Sequence, residues 1–107
     1  MADLFVVYWR DIPAQVIVKR GRTSAKRQLS ERFETAIDRA AMRAKLRDTD
    51  SYLAEWRRAD PTPCGEDLEV EAAAAAERLE ADWTEERLAK AVANGGLEKA
   101  ETGGGAG

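Results

Sequence analysis

The stretch that decides the fold is Leu4-Phe5-Val6-Val7-Tyr8-Trp9-Arg10-Asp11-Ile12-Pro13-Ala14-Gln15-Val16-Ile17-Val18-Lys19-Arg20. Its two arms, 4–9 and 14–20, are rich in β-branched and aromatic residues and predict two strands. Because the link between them is short, we expect an antiparallel hairpin. Pro13 cannot donate a ladder hydrogen bond, so it belongs in the turn or at the start of the second strand.

After the hairpin the pattern predicts a helix. Residues 21–24 (Gly-Arg-Thr-Ser) end the second strand and offer helix caps, and the helical pattern runs from about 25 to 46. Apolar residues recur along it at spacings of three and four, which makes one stripe that can pack on the hairpin. The stripe consists of Leu29, Phe33, Ile37, Ala40 and Ala44.

Residues 51–58 are compatible with two structures. Tyr52, Ala54 and Trp56 alternate with Leu53, Glu55 and Arg57, as in a strand, but Tyr52, Leu53 and Trp56 also have helical spacing. We favour the strand because the segment is short and lies between Asp-rich and Pro-rich breaks. A third strand would also stabilise a hairpin that is marginal alone.

The C-terminal part is predicted to be helical and then disordered. An acidic helix is expected from about 66 to 83, and Thr84 is expected to cap a short helix that ends near 93. The Gly-rich segment 94–107 is predicted to be a disordered tail. The sequence thus predicts one α+β domain over 1–93, with the sheet and first helix in about 4–60 and the acidic helical part in about 65–93.

Composition limits the possible functions. The chain has 107 residues and no histidine, which excludes Ser-His-Asp catalysis, Cys-His catalysis and His-ligated zinc. Cys64 is the single cysteine. It is either a small residue in a loop or a thiol activated by the following helix start. We therefore expect no enzyme activity, no cofactor and no metal site.

The N-terminal run 4–9 is too short for a signal peptide, and no stretch is long enough to span a membrane. The expected location is the cytoplasm.

The two halves of the chain differ in charge. Residues 1–60 contain 13 Lys and Arg against 9 Asp and Glu, whereas residues 61–107 contain 4 against 11. This asymmetry indicates either an anionic partner for the first half or an acidic helix that lies near basic residues within the fold.

Two Trp-Arg steps are the main candidate site. If the third strand lies beside the first, Trp9-Arg10 and Trp56-Arg57 converge at one edge of the sheet. Aromatic faces beside guanidinium groups suit a planar or anionic ligand, or a carboxylate of a partner protein. The alternative is that both tryptophans are core residues and each arginine extends past them into water. Asp11 and Gln15 are further candidates, for binding or for holding the turn.

A basic cluster follows the second strand. Its members, expected near a helix start that could hold a phosphate, are Lys19, Arg20, Arg22, Lys26 and Arg27. A solvated basic edge is the favoured interpretation, because the chain as a whole has a net charge of −3 and a nucleic-acid patch here would be small.

Three groups of residues resemble a known family. They are 8–16 (Tyr-Trp-Arg-Asp-Ile-Pro-Ala-Gln-Val), 32–42 (Arg-Phe-Glu followed by Ala-Ile-Asp and Ala-Ala-Met) and 52–57 (Tyr-Leu-Ala-Glu-Trp-Arg). They are similar to the small bacterial "virulence factor" family, found as stand-alone proteins in alphaproteobacteria. A similar domain forms part of the larger conserved virulence factor C. The resemblance covers roughly residues 4–70 and implies a cytoplasmic bacterial protein, with stand-alone members linked to folate and methyl-group metabolism.

The function expected from the sequence is that of a non-enzymatic cytosolic accessory protein. It would bind a partner protein through the sheet edge and the surface around Arg10, Asp11, Gln15, Trp56 and Arg57. One alternative is a small-molecule or anion-binding module that uses the same surface. The other is a weak RNA binder that uses the basic cluster.

Overall fold

The computed structural model describes residues 2–46 and 48–98. In chain order its elements are β1 (Ala2–Trp9), β2 (Ile12–Arg20), β3 (Thr23–Gln28), α1 (Glu31–Arg43), α2 (Thr49–Ala54), β4 (Trp56–Arg58), β5 (Thr62–Cys64), α3 (Leu68–Asp82) and α4 (Glu85–Ala93). None of these helices is both long enough and apolar enough to cross a lipid bilayer.

The strands form one antiparallel sheet in the order β3-β2-β1-β4. β4 pairs with residues 7–9 of β1, and β5 pairs with residues 2–4 of the same strand. The predicted hairpin is β1 and β2, in which Phe5 lies opposite Ile17 and Trp9 opposite Ile12. The register shifts after Val7, so that Pro13 lies opposite Tyr8 near the turn. This sheet with its helices confirms the predicted α+β class.

The helix predicted over about 25–46 is observed over Glu31–Arg43, but its predicted start near residue 25 is wrong. Residues 23–28 form β3, joined to β2 by a turn in which Gly21 has a φ of 61°, and α1 begins only at Glu31. The segment was hard to recognise as a strand because Ala25 is its only buried residue. Its backbone groups pair with those of β2. Thr23 and Ser24, which were expected to cap a helix, are therefore the first residues of an edge strand.

The favoured strand over 51–58 is correct only for its last three residues. Residues 49–54 form the short helix α2, whose N-cap Asp48 accepts a hydrogen bond from the Ser51 amide, and β4 follows at once. The Asp48 carboxylate stabilises the start of this helix, and the strand interpretation did not take this cap into account. Residues 62–64, expected in a loop, pair with β1 as β5.

Two arginines help to hold β4 on the hairpin. In β4, the Arg57 guanidinium lies 4.7 Å from the centre of the Tyr8 ring, and that of Arg58 lies 5.0 Å from the centre of the Phe5 ring. Each such cation–π contact is worth roughly 0.5–1 kcal/mol where it is exposed. Together with the pairing of Trp56 opposite Trp9, these contacts explain why a strand of three residues is stable at this edge.

Two hydrophobic cores flank the hairpin. One lies between α3 and one face of the sheet, where Val16 and Val18 pack with Ala72 and Ala75. The other surrounds Trp9 at the turn end and gathers α1, α4 and the residues between α3 and α4. Its buried members are Trp9, Ile12, Leu29, Phe33, Ala36, Ile37, Ala40, Ala41, Trp83, Leu88 and Ala91. The acidic helix α3 therefore covers one face of the sheet, while α1, which was expected to pack on the hairpin, packs on its turn end around Trp9 and Ile12.

Ion pairs join the basic front of the chain to its acidic second half. Arg20 of β2 pairs with Glu66, and Arg32 of α1 pairs with Glu80 of α3. Glu80 also accepts hydrogen bonds from the amide and hydroxyl of Ser30, at 2.6 and 2.9 Å. Of the two explanations for the charge asymmetry, the one within the fold is therefore observed at these residues.

The predicted Gly-rich tail 94–107 is described only in its first part. Residues 94–98 lie against the β1–β2 turn, and the Asp11 amide donates to the Gly96 carbonyl at 2.8 Å. Gly96 has a φ of 97° and leaves no room for a side chain, because an added Cβ would lie 2.6 Å from Trp9 Cζ3. The remainder, 99–107, lies outside the described residues.

Replacing Gly96 with alanine should destabilise the protein strongly. Backbone strain at a positive φ and overpacking against Trp9 should together lower the free energy of unfolding by about 2–5 kcal/mol. Gly21→Ala is the matched control: it has a φ of 61° but open space around it, so it should lose only about 1–2 kcal/mol. Urea unfolding measures both, and equal losses would contradict the close contact.

Replacing Glu80 with glutamine should weaken the join between α1 and α3. Burial acts to raise the pKa of Glu80, but the hydrogen bonds from Ser30 and the Arg32 charge outweigh it and lower this pKa. Because the folded pKa is depressed, the stabilisation is present above the unfolded value of about 4.3 and is lost as the pH falls through the folded value.

We expect Glu80→Gln to cost about 1–2 kcal/mol at neutral pH, since the side chain is partly exposed, and less in acid. Glu77→Gln, an exposed position on the same helix, should change stability by less than about 0.5 kcal/mol. Thermal unfolding over a pH series tests this. A Glu80→Gln deficit that is the same in acid as at neutral pH would rule out the linkage.

Candidate functional site

The β1–β2 turn brings three of the predicted site residues together. Arg10 adopts a left-handed conformation with a φ of 53°, and its Nη1 donates to the Gly95 carbonyl at 3.0 Å. Arg10 Nε lies 3.1 Å from a Glu55 carboxylate oxygen, in an ion pair that lacks hydrogen-bond geometry. From β4, Arg57 donates to the Arg10 carbonyl at 3.0 Å and to Asp11 Oδ1 at 3.3 Å.

Beside this turn is a cleft of about 540 Å³, here called the hairpin cleft. Arg87 of α4 stacks on Trp83 at 3.9 Å from the ring centre and pairs with Glu98 at 2.7 Å. The Glu98 amide in turn donates to Asp11 Oδ2 at 2.8 Å. The cleft is lined by Tyr8, Asp11, Arg57, Ala59, Leu79, Asp82, Trp83, Arg87 and Glu98.

Both cations of the hairpin cleft are paired with carboxylates of the same cleft. Arg57 is paired with Asp11 and Arg87 with Glu98, and the hydrogen bond to Glu98 raises the pKa of the Arg87 guanidinium. Counting Asp82, the lining residues carry two cations and three anions. An incoming anion would have to displace a carboxylate from each arginine. This geometry is that of a brace that holds the turn, rather than of an anion-binding site.

The remaining predicted residues lie elsewhere. Trp9 is fully buried, and its indole N–H donates to the Tyr52 carbonyl at 3.0 Å, which ties α2 to the hairpin. Gln15 is half-buried on β2 opposite Gln28, away from the residues that line the hairpin cleft. Trp56 lies opposite Trp9 in the sheet, but its ring faces a different cavity.

That second space, here called the aromatic cavity, lies between α1, the sheet and α2 and has a volume of about 290 Å³. The rings of Tyr52 and Trp56 meet edge to face with their centres 6.2 Å apart. Leu29 and Ile37 are among its apolar lining residues, and the full lining is Ala14, Gln28, Leu29, Glu34, Ile37, Asp38, Tyr52 and Trp56.

Of the residues that line this cavity, sequence reasoning had singled out Trp56 alone, and had assigned it to the Trp-Arg site at the sheet edge; Tyr52, Glu34 and Asp38 were not proposed. Glu34 and Asp38 are four residues apart in α1 and so lie on the same face of the helix. Tyr52 precedes Trp56 by four residues, so the helical alternative for residues 51–58 would also have placed these two rings close together. The cavity itself depends on the packing of α1 against the turn end of the sheet, which no local pattern shows.

The basic cluster is not at a helix start. Its members Lys19, Arg20, Arg22, Lys26 and Arg27 lie on the β2–β3 hairpin, and all are exposed. The alternative of a phosphate held by helix N–H groups therefore has no structural basis in this cluster, whose residues lie in strands and the turn between them. Arg20 is paired with Glu66, while the hairpin as a whole forms a solvated basic edge of the sheet.

Cys64 does not have the features of an activated thiol. It lies in β5, and burial raises the pKa of the thiol, to which the charges of Glu71 and Asp3 add. The expected helix start that would lower this pKa begins only at Leu68. Among the described residues, no group of three or more acidic or sulfur ligands is arranged to hold a metal ion.

Comparison with known proteins gives one match. Residues 7–92 match the family model described as Virulence factor, so the chain belongs to this family, as its motifs indicated. Neither the curated proteins nor the solved structures contain a match to the chain.

Removing the Asp11 carboxylate should loosen the turn. Asp11→Ala would remove the acceptor of Arg57 Nη2 and of the Glu98 amide, and we expect a loss of about 1–3 kcal/mol. The control Asp60→Ala removes an exposed carboxylate and should change stability by less than about 0.5 kcal/mol. Urea unfolding compares the two, and identical midpoints would show that Asp11 does not brace the turn.

Proposed function

We propose that this protein is a non-enzymatic accessory protein of the cytoplasm. In this proposal it binds a partner protein through the aromatic cavity and the adjoining edge of β4. The observation that carries the proposal is the pair of half-buried rings, Tyr52 and Trp56, which form the wall of an open cavity beside an edge strand. Aromatic side chains in such surroundings are enriched among the residues that dominate binding energies in protein interfaces.

The surroundings of the cavity support a protein as the ligand. In the described part of the chain β4 pairs with β1 on one side, and its other edge carries no strand. Leu53, next to this edge, is 53% exposed, and Met42, near the end of α1, is 77% exposed. Exposed apolar side chains and a strand edge without a partner strand are both typical of interaction surfaces.

This proposal moves the contact away from the hairpin turn. Arg10 and Asp11 are engaged in bonds to residues 95–98 and to β4, so their exchange for bonds to a partner would disrupt the fold. Arg57 is half-exposed and can border an interface on β4, while Trp56 remains at its centre. Of the predicted binding residues, we place Trp56 at the contact and Arg57 at its border, where Arg57 keeps its bonds to Arg10 and Asp11.

The two alternatives from the sequence have less support. A small-molecule or anion-binding module, in folate or methyl-group metabolism or elsewhere, would need a free cation in the hairpin cleft, where both guanidinium groups are paired. An RNA binder would use the β2–β3 hairpin, which is exposed and basic but carries no exposed aromatic ring for base stacking among its residues 12–28.

Replacing Trp56 with alanine should abolish partner binding. Loss of a central aromatic anchor costs at least about 2 kcal/mol, or roughly thirtyfold in affinity. Tagged protein purified from native lysate should retain a stoichiometric partner in the wild type and lose it in Trp56→Ala. Val70→Ala removes an exposed apolar side chain on α3 and should retain the partner.

Circular dichroism and a cooperative unfolding transition must first show that both variants are folded. Tyr52→Phe, which preserves the ring, gives a milder second variant that should bind the partner nearly as well as the wild type. Retention of the partner by a folded Trp56→Ala variant, or the absence of any stoichiometric partner of the wild type, would overturn the proposal.

A further inference from the structure

The charged residues that line the aromatic cavity have one sign. They are Glu34 and Asp38 of α1, both exposed. A neighbouring cavity of about 440 Å³ shares Asp38 and Tyr52 and adds Asp48. Among the described residues that line the two cavities there is no lysine or arginine. The rim of this surface is therefore negative, although α1 and the sheet nearby contain many basic residues.

The carboxylates of this rim differ from those of the hairpin cleft in their partners. Asp11 and Glu98 are each paired with an arginine of the same cleft, whereas Glu34 and Asp38 form no ion pair with another described residue. They also act on the aromatic wall. Burial raises the pKa of the Tyr52 hydroxyl, and the negative charge of Asp38, with a smaller effect of Glu34, raises it further.

The floor of the aromatic cavity is apolar. Leu29 and Ile37 form its inner lining, and the edge-to-face pair of Tyr52 and Trp56 leaves ring surface at its side. The cavity thus offers an apolar floor, aromatic rings and carboxylates. A ligand that fits all three needs an aliphatic stem for the floor, a cation for the ring faces and hydrogen-bond donors for the carboxylates. Arginine and lysine side chains have this construction, and arginine in particular stacks on aromatic rings and forks onto carboxylates.

We propose that the aromatic cavity receives an arginine or lysine side chain from a basic segment of the partner protein, with its cation between the Tyr52–Trp56 rings and the Glu34 and Asp38 carboxylates. This inference rests on the proposed function and specifies the chemistry of the partner. The neighbouring cavity, lined by Ala41, Met42 and Leu46 as well as Asp48, accommodates an adjacent side chain of the same segment. Two neighbouring cavities that share Asp38 and Tyr52 favour a polypeptide over a single small cation.

The test uses two probes that differ in charge and hardly in shape. N-acetyl-arginine amide carries the cation, and N-acetyl-citrulline amide is its neutral isostere. The Trp56 indole N–H resonance, assigned with a Trp56→Phe variant, should shift on titration with the arginine probe and remain in place with the citrulline probe. A pentapeptide with arginine flanked by leucines should bind at least about tenfold more tightly than the single amino acid, since it also fills the second cavity.

Matched variants test the role of the rim. Glu34→Gln with Asp38→Asn should weaken binding of the pentapeptide by about tenfold, because two carboxylates near the cation are lost. Glu31→Gln with Glu77→Gln removes the same charge outside the two cavities and should leave binding unchanged. Both double variants are isosteric at exposed positions, so folding is preserved.

The outcomes separate this inference from the proposed function. Equal responses to arginine and citrulline probes, or unchanged affinity in the Glu34→Gln/Asp38→Asn variant, would overturn the basic-segment inference. If that variant also retains the native partner while Trp56→Ala loses it, the cavity remains the contact surface and its ligand is not basic. A single amino acid that binds as tightly as the pentapeptide would indicate a small cation and also count against the inference.

Discussion

The docking of residues 95–98 on the β1–β2 turn is the contact on which the rest of the structure depends. Gly96 packs on the Trp9 ring at a distance that excludes any side chain, and the Gly95 and Gly96 carbonyls accept from Arg10 and from the Asp11 amide. Because Trp9 belongs to the larger core, the contact with Gly96 covers one side of that core with a segment more than 80 residues later in the sequence. The turn, α4 and β4 are thus positioned by one shared set of bonds.

This constraint divides the surface into two kinds of site. Around the turn, arginines and carboxylates neutralise one another and are consumed in holding three segments together. On the other side of β4, Glu34 and Asp38 remain without a described ionic partner beside the rings of Tyr52 and Trp56. Paired charges indicate structure, whereas unpaired charges of one sign beside an aromatic cavity indicate a ligand. The proposed function rests on the rings of Tyr52 and Trp56, and the inference of a basic partner segment follows from this difference in the pairing of the charges.

The sequence predicted what local patterns determine. The β1–β2 hairpin follows from two apolar, β-branched arms, and α4 from the Thr84 cap, whose hydroxyl accepts from the Arg87 amide. β3 was missed because Thr23–Gln28 has one buried residue, and its strand conformation comes from pairing with β2. The aromatic cavity was not predicted, although one of its residues, Trp56, was a candidate, because its other walls come from α1 and α2, which are separate in the sequence. Docking of the glycines at 95 and 96 leaves no signal in a side-chain pattern, because the contact requires that there be no side chain.

Hydrogen–deuterium exchange of the protein with and without its partner tests the central claim most directly. The account predicts that binding protects backbone amides of α2, β4 and the facing side of α1, while those at the β1–β2 turn and in residues 95–98 exchange slowly in both states. Protection that appears instead at the turn or along the β2–β3 hairpin, with α2 and β4 unchanged, would contradict the division between a structural brace and a binding cavity.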